Sequence, residues 1–339
     1  MCGIVGAVAF RNITPVLLEG LRRLEYRGYD SAGVAVLDSQ GALVRVRRLG
    51  KIKSLEEALS VTPAEGAIGI AHTRWATHGA PSERNAHPHL CREAVAVVHN
   101  GIIENHDALR SELSAKGYRF ESETDTETIV HQIHDFLEDG IALLEAVRKT
   151  CEKLQGAYAI GVISTGNPGR LITARHGSPL VIGLGEGENF IASDIFALVG
   201  ETQRFVFLED GDIAELTTDS VTIYDQQGRR VERPVHETGL AADAVERGEY
   251  RHYMQKEIHE QPMAIGKTLE GRIHAGQVLD AAFGPQATAA FDHIKAVQIV
   301  ACGTSYHAGM VARYWLEDIA GLPCNVEVGS EFRYRRHVV

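Results

Sequence analysis

The sequence predicts an α+β domain of packed sheets covered by helices, followed by the start of a separate α/β unit. Three observations predict it. Residues 1–225 carry many short strand signals around a few long helix signals arranged in blocks, the pattern of a layered α+β fold. Composition changes near 226–250, where a polar turn and a charged, aperiodic stretch read as a linker. After it, an apolar strand, a turn, a helix and a second short strand follow in order, the opening of a βαβ unit.

The elements follow from local chemistry. Cys2 to Phe10 is an apolar strand. Leu17, Leu18, Leu21 and Leu24 recur at i, i+1, i+4 and i+7, one face of a helix that Thr14-Pro15 starts and Gly28 stops. Strands are predicted at 33–37, 42–47, 67–72 and 94–99, and helices at 105–116 (Asn105 as its cap), 125–137 and 141–154. A run of short strands follows at 157–164, 171–174, 180–183, 190–192, 205–208, 212–216 and 221–224. Beyond the linker, 253–269 reads as a helix, 296–301 as a strand, 302–305 as a turn, 305–319 as a helix and 324–328 as a strand.

Composition narrows the function. The chain has 339 residues, with Lys+Arg 34 against Asp+Glu 45 for a net charge of −11. That balance argues against a general nucleic-acid or membrane-surface binder. No apolar run reaches the ~18 residues of a membrane span, and no secretory signal is visible. Cys2, Cys91, Cys151, Cys302 and Cys324 are odd in number and scattered, which fits reduced thiols in a cytoplasm. Among the histidines, His87-Pro88-His89 comes nearest to metal-ligand spacing, and Pro88 makes it a turn; no metal or cofactor is expected.

The chemistry concentrates at Cys2. Removal of Met1 would make it the N-terminus, with a thiol and a free α-amine on one residue. An α-amine with a pKa of about 7.7–8.0 can take the thiol proton near neutral pH. Four clusters accompany it: Arg27 to Gly33, His72 to Gly79, His99-Asn100-Gly101 and Ser122 to Glu127. The Asn100 amide and the Gly101 N–H can serve an oxyanion, Arg74 a carboxylate and Asp125 an ammonium. Taken singly, each has a plainer reading: Asn-Gly as a hairpin turn, Asp125 or Thr124 as a helix cap, Arg74 as a surface charge, Trp75 as a core aromatic and Cys2 as a small strand hydrophobe.

These stretches together resemble the class II, N-terminal-nucleophile glutamine amidotransferases. The branch they resemble carries a second, sugar isomerase (SIS) half. The match runs through Met1–Gly6, Arg23–Gly33, His72–Gly79, His99–Asn105, Tyr250–Ile258 and Ala301–Tyr306. The resemblance implies a four-layer αββα sandwich over 2–225, a linker over 226–250 and an incomplete SIS domain over 251–339. It implies glutamine and fructose 6-phosphate as substrates, with Cys2 attacking the glutamine amide and Asn100 and Gly101 forming the oxyanion hole. Arg74 and Asp125 would clamp the α-carboxylate and α-amine. Trp75, Thr77 and His78 would belong to a loop that closes on glutamine, and Arg27 would stand near the nucleophile. Gly303, Thr304 and Ser305 would hold a sugar phosphate at a helix N-terminus. The family's isomerase half runs well past Val339, so the chain reads as truncated, with homodimerisation in doubt. The alternatives are a fragment that only hydrolyses glutamine, or a glutamine or hexose-phosphate binding module without turnover.

Overall fold

A computed structural model of the chain describes residues 2–76, 79–239, 250–269, 273–274, 277–278, 291 and 293–336. The chain forms two compact units, 1–249 and 250–339.

In the first unit the elements run β1 (Gly3–Val8), α1 (Thr14–Arg23), β2 (Ser31–Leu37), β3 (Leu43–Leu49), α2 (Ile52–Val61), β4 (Ile68–Arg74), β5 (His89–Cys91), β6 (Val95–Ile103), α3 (His106–Ala115), α4 (Thr126–Glu138), α5 (Leu143–Lys153), β7 (Gly156–Ser164), β8 (Leu171–His176), β9 (Val181–Leu184), β10 (Asn189–Ala192), β11 (Arg204–Phe207), β12 (Ile213–Leu216), β13 (Val221–Tyr224), β14 (Arg230–Val231) and β15 (Val235–Glu237). They build an eight-stranded sheet, β15-β11-β9-β10-β1-β4-β2-β3, and a seven-stranded sheet, β14-β13-β12-β8-β7-β6-β5. Neighbouring strands in both are antiparallel.

Strand parity sorts the apolar side chains into three cores. Val5, Ala7, Val34, Val36 and Ala71 point outward to Leu17 and Leu21 of α1 and Ile52 and Leu55 of α2. Ile4, Val8, Ala35, Ile68 and Ile70 point inward, where they meet Ala96, Val98, Ala159 and Ile163 of the other sheet. Val95, Val97, Ile160 and Val162 leave that sheet's far face for Ile129, Val130 and Ile133 of α4 and Ala146 and Val147 of α5. This is a four-layer αββα sandwich. Both faces of each central strand are buried, which explains why β1 and β6 read as continuous apolar runs instead of alternating ones.

Several expectations change in detail. α1 ends at Arg23, and a 3₁₀ turn over Glu25–Arg27 closes on Gly28. α2 was not foreseen; its apolar positions Ile52, Leu55, Ala58 and Leu59 are buried all the same. Asn105 precedes α3 without capping it by a side-chain bond. Its amide is used elsewhere, donating to the Lys153 carbonyl at 2.8 Å and accepting the Gln155 N–H at 3.0 Å. Residues 230–231 and 235–237, read as linker, add edge strands to the two sheets through Ile223↔Val231 and Phe205↔His236. The stretch 240–249 lies outside the described residues.

In the second unit α6 spans Tyr253–Leu269, and β16 (Ile273–His274) pairs with β17 (Gln277–Val278). β18 (Val297–Ala301) leads through Cys302 into α7 (Gly303–Asp318) and on to β19 (Cys324–Val328), which lies parallel to β18. A short α8 (Gly329–Tyr334) follows. Gly309 of α7 packs on this pair so closely that a Cβ there would lie 2.9 Å from Ile299. Among the described residues, no helix is long and apolar enough to cross a membrane.

Candidate active site

Cys2 immediately precedes β1, whose Gly3 pairs with Thr73 of β4. The thiol sulfur accepts the Trp75 N–H at 3.2 Å and faces the Trp75 carbonyl at 3.6 Å. Burial pushes the thiol pKa up; the Trp75 N–H opposes that shift. At neutral pH the resting group is therefore a thiol, and reaction requires a base.

Two polar groups meet the Cys2 carbonyl. Asn100 Nδ2 donates to it at 3.3 Å, and Arg27 Nη1 reaches it at 3.5 Å. Asn100 and Gly101 pair with Ala159 and Tyr158 inside the β6–β7 ladder, so this Asn-Gly is strand and not a hairpin turn. Gly101 has φ 138°, and a Cβ there would stand 1.9 Å from the Ala157 carbonyl oxygen. No side chain fits, and the backbone at this point stays open to close approach. Arg27, at the end of the 3₁₀ turn, is fixed by Asp194 at 2.5 Å and by Ser193 Oγ at 3.4 Å.

Arg74 ends β4 and is 3 % exposed, so it is no surface charge. Its Nη2 donates to the Gly79 carbonyl at 3.2 Å, and its Nη1 lies 3.9 Å from Asp30. Asp30 also accepts the Ala76 N–H at 2.5 Å, which pins the chain just after Trp75. Trp75 is 54 % exposed and is not a core residue. Its ring lies over Gly28, where a Cβ would come within 3.1 Å. Thr77 and His78 fall outside the described residues.

Asp125 is buried and caps α4 as the plainer reading held: Oδ1 accepts the Thr126 N–H at 3.0 Å and Oδ2 the Ile103 N–H at 2.8 Å. Each carboxylate oxygen keeps a lone pair for a further donor. The cap and a ligand role are thus compatible. Gly303, Thr304 and Ser305 form the first turn of α7 in the second unit, which starts two residues before the Ser305 start that the sequence reading gave it.

Residues without an assigned role in the sequence reading complete the site. Besides Asp30, Ser193 and Asp194, these are His72, whose Nε2 contacts Asn100 Oδ1 at 2.9 Å, and the buried His87 and His99 behind it. One signal was available. Ile68 and Ile70 share the parity of His72, and Ala96 and Val98 that of Asn100; all four apolar residues lie between the sheets.

The chain has counterparts among known proteins. The family described as glutamine amidotransferase domain matches residues 72–200, and the SIS domain family matches 291–338. Glutamine–fructose-6-phosphate aminotransferase (isomerizing) of Pseudomonas aeruginosa is 61 % identical over 339 residues, all of this chain and 56 % of that protein. Over its whole length the chain is homologous to the isomerizing glutamine–fructose-6-phosphate aminotransferases. The Yersinia pestis enzyme is 58 % identical over 339 residues and the Shewanella oneidensis enzyme 60 % over 336, with 56 % and 55 % of those proteins covered. The chain thus spans about half the length of the curated relatives it matches. Among solved structures, the glutamine phosphoribosylpyrophosphate amidotransferase from B. subtilis, complexed with ADP and GMP, superposes with a TM-score of 0.57 at 20 % identity, covering 96 % of this chain and 65 % of that one. A second, the allosteric regulatory enzyme of purine biosynthesis, gives 0.57 at 21 % identity with the same coverage. At such identity the likeness is one of fold: the sheet-rich N-terminal-nucleophile amidotransferase fold.

Proposed function

We propose that the first unit hydrolyses the side-chain amide of glutamine. Cys2, freed of Met1, passes its thiol proton to its own α-amine, and the sulfur attacks the glutamine Cδ. The tetrahedral oxyanion is received by Asn100 Nδ2 and the Gly101 N–H. The amine returns its proton as the C–N bond breaks, releasing ammonia and leaving a γ-glutamyl thioester. Water then cleaves the thioester to glutamate and restores the thiol. Arg74 holds the substrate α-carboxylate and Asp125 its α-amine, while Trp75, Thr77 and His78 close over it and Arg27 steadies the main chain of the nucleophile. The observation that carries this reading is the Asn100 amide at 3.3 Å from the carbonyl of Cys2, beside a glycine that admits no side chain.

For the whole protein, we propose that the ammonia is transferred to fructose 6-phosphate to give glucosamine 6-phosphate. Gly303, Thr304 and Ser305 hold the sugar phosphate at the positive end of α7. The proposed limits, 2–225 for the amidotransferase, 226–250 for the connection and 251–339 for the sugar-binding part, shift in one respect: the edge strands at 230–231 and 235–237 belong with the amidotransferase; the whole protein would be a cytoplasmic homodimer.

One assay addresses both parts: purified chain with glutamine and fructose 6-phosphate, glutamate and glucosamine 6-phosphate being quantified together. Glutamate alone assigns these 339 residues the glutaminase step. Both products assign them the transfer as well. Absence of glutamate from protein shown by mass spectrometry to have lost Met1 overturns the proposal.

A further inference from the structure

We infer that His72 is the positioning residue of the oxyanion site: it holds the Asn100 side-chain amide with Nδ2, rather than Oδ1, turned toward the nucleophile. The inference rests on the proposed glutaminase reaction.

His72 Nε2 lies 2.9 Å from Asn100 Oδ1 and 3.0 Å from the His99 carbonyl oxygen. A main-chain carbonyl can only accept, so Nε2 carries the ring proton. With that proton fixed, the amide must present its oxygen to His72, and its NH₂ faces Cys2. The flipped amide would set N–H against N–H at one end and oxygen against the Cys2 carbonyl at the other. In that orientation a developing oxyanion would meet a repelling dipole where it needs a donor.

The ring has little freedom to choose otherwise. It is completely buried and stacks on His87 with centroids 4.2 Å apart. His87 Nε2 and His99 Nδ1 each lie 2.9 Å from Thr126 Oγ1. Among the described residues His72 Nδ1 has no hydrogen-bond partner, so a proton there would be buried and unsatisfied. Burial also drives the His72 pKa down to about 3, which keeps the ring neutral and its single donor constant across the working pH range.

The test compares His72→Phe, His72→Gln and His72→Asn with the parent chain. Phenylalanine keeps a flat ring, slightly larger, without the donor. The glutamine Nε2–H reaches the position of the imidazole Nε2–H, and the shorter asparagine falls short of it. H72F should lower kcat for glutamate release by about 10²–10³, the scale of a lost oxyanion donor, with KM for glutamine within about threefold. H72Q should recover kcat to within about tenfold of the parent, and H72N should not. Glutamate γ-semialdehyde, which adds to the thiol as a tetrahedral adduct, should bind H72F more weakly by the factor lost in kcat, while glutamate binds it as before. An H72F enzyme with kcat within threefold of the parent, or a loss confined to KM, overturns the inference alone. If H72F does not fold, equal kcat in H72Q and H72N overturns it. A parent chain that releases no glutamate overturns the proposed reaction, and this inference with it.

Discussion

At the scale of single residues, the site separates chemistry from support. Cys2→Ala removes a small, half-buried sulfur whose hydrogen-bond partner is the Trp75 N–H. Glutamate release should fall below detection while the melting temperature stays within a few degrees, both read on one preparation; persistent hydrolysis would place the nucleophile elsewhere. Gly101→Ala is a different matter. A φ of 138° and a Cβ at 1.9 Å from the Ala157 oxygen force the β6–β7 ladder apart. A destabilisation of at least about 2 kcal/mol is expected in urea unfolding, together with loss of activity. Cys2 and Asn100 could be singled out in the sequence because a thiol beside a terminal amine and an amide at the end of an apolar strand both suit this chemistry, and the structure sets them side by side. His72 was not, since a buried histidine announces no role until its partner across the sheet gap is known.

At the scale of elements, α4 shows how one residue serves two ends. Asp125→Ala removes the cap on Thr126 N–H and the bond to Ile103 N–H. Its expected cost is about 1 kcal/mol of stability or somewhat more, from the cap and the orphaned buried donor. Asp125→Asn keeps one acceptor, sets its NH₂ against the other backbone N–H, and removes the charge. It should lower the unfolding midpoint about as far as Asp125→Ala does while raising KM for glutamine more than tenfold; an unchanged KM would reduce Asp125 to a cap. The strands and long helices were readable because their apolar runs are dense. Their ends were less so. Gly101 in a left-handed conformation looks like a turn by composition, and only the facing strand β7 turns it into ladder. α2 carries a legible apolar face, Ile52, Leu55, Ala58 and Leu59 at helical spacing, which the sequence reading passed over; it packs against β2 and β3. The edge strands β14 and β15 are two and three residues long, too short for any period to register.

At the scale of the molecule, a group of buried, neutral histidines makes folding sensitive to acid. Burial holds His72 at about 3 and drives His87 and His89 well below the ordinary histidine value. Unfolded histidines titrate near 6.5, so below that pH the unfolded chain binds protons that the folded chain refuses. Stability is complete from about pH 7.5 upward and falls as pH drops through ~6.5, with a slope approaching about 4 kcal/mol per pH unit for three fully linked protons. Glu127, held at about 2 with Ser122 and His131 as its hydrogen-bond partners, adds to the loss only below its unfolded value near 4.5. Urea midpoints at pH 8.5, 7.5 and 5.5 should be level between the first two and drop at the third; a flat series would mean that these rings do not stay neutral. The order of the large sheet carries one more consequence. β1 lies between β4 and β10, and Val5 pairs with Ala192. At a synthesis rate of about 5–20 residues per second, the strand that seats Cys2 waits on the order of ten to forty seconds for its last neighbour to leave the ribosome. Throughout that interval the amino terminus lacks its final cover, so an aminopeptidase acting on the nascent chain can trim Met1 before the sandwich closes over the new terminus.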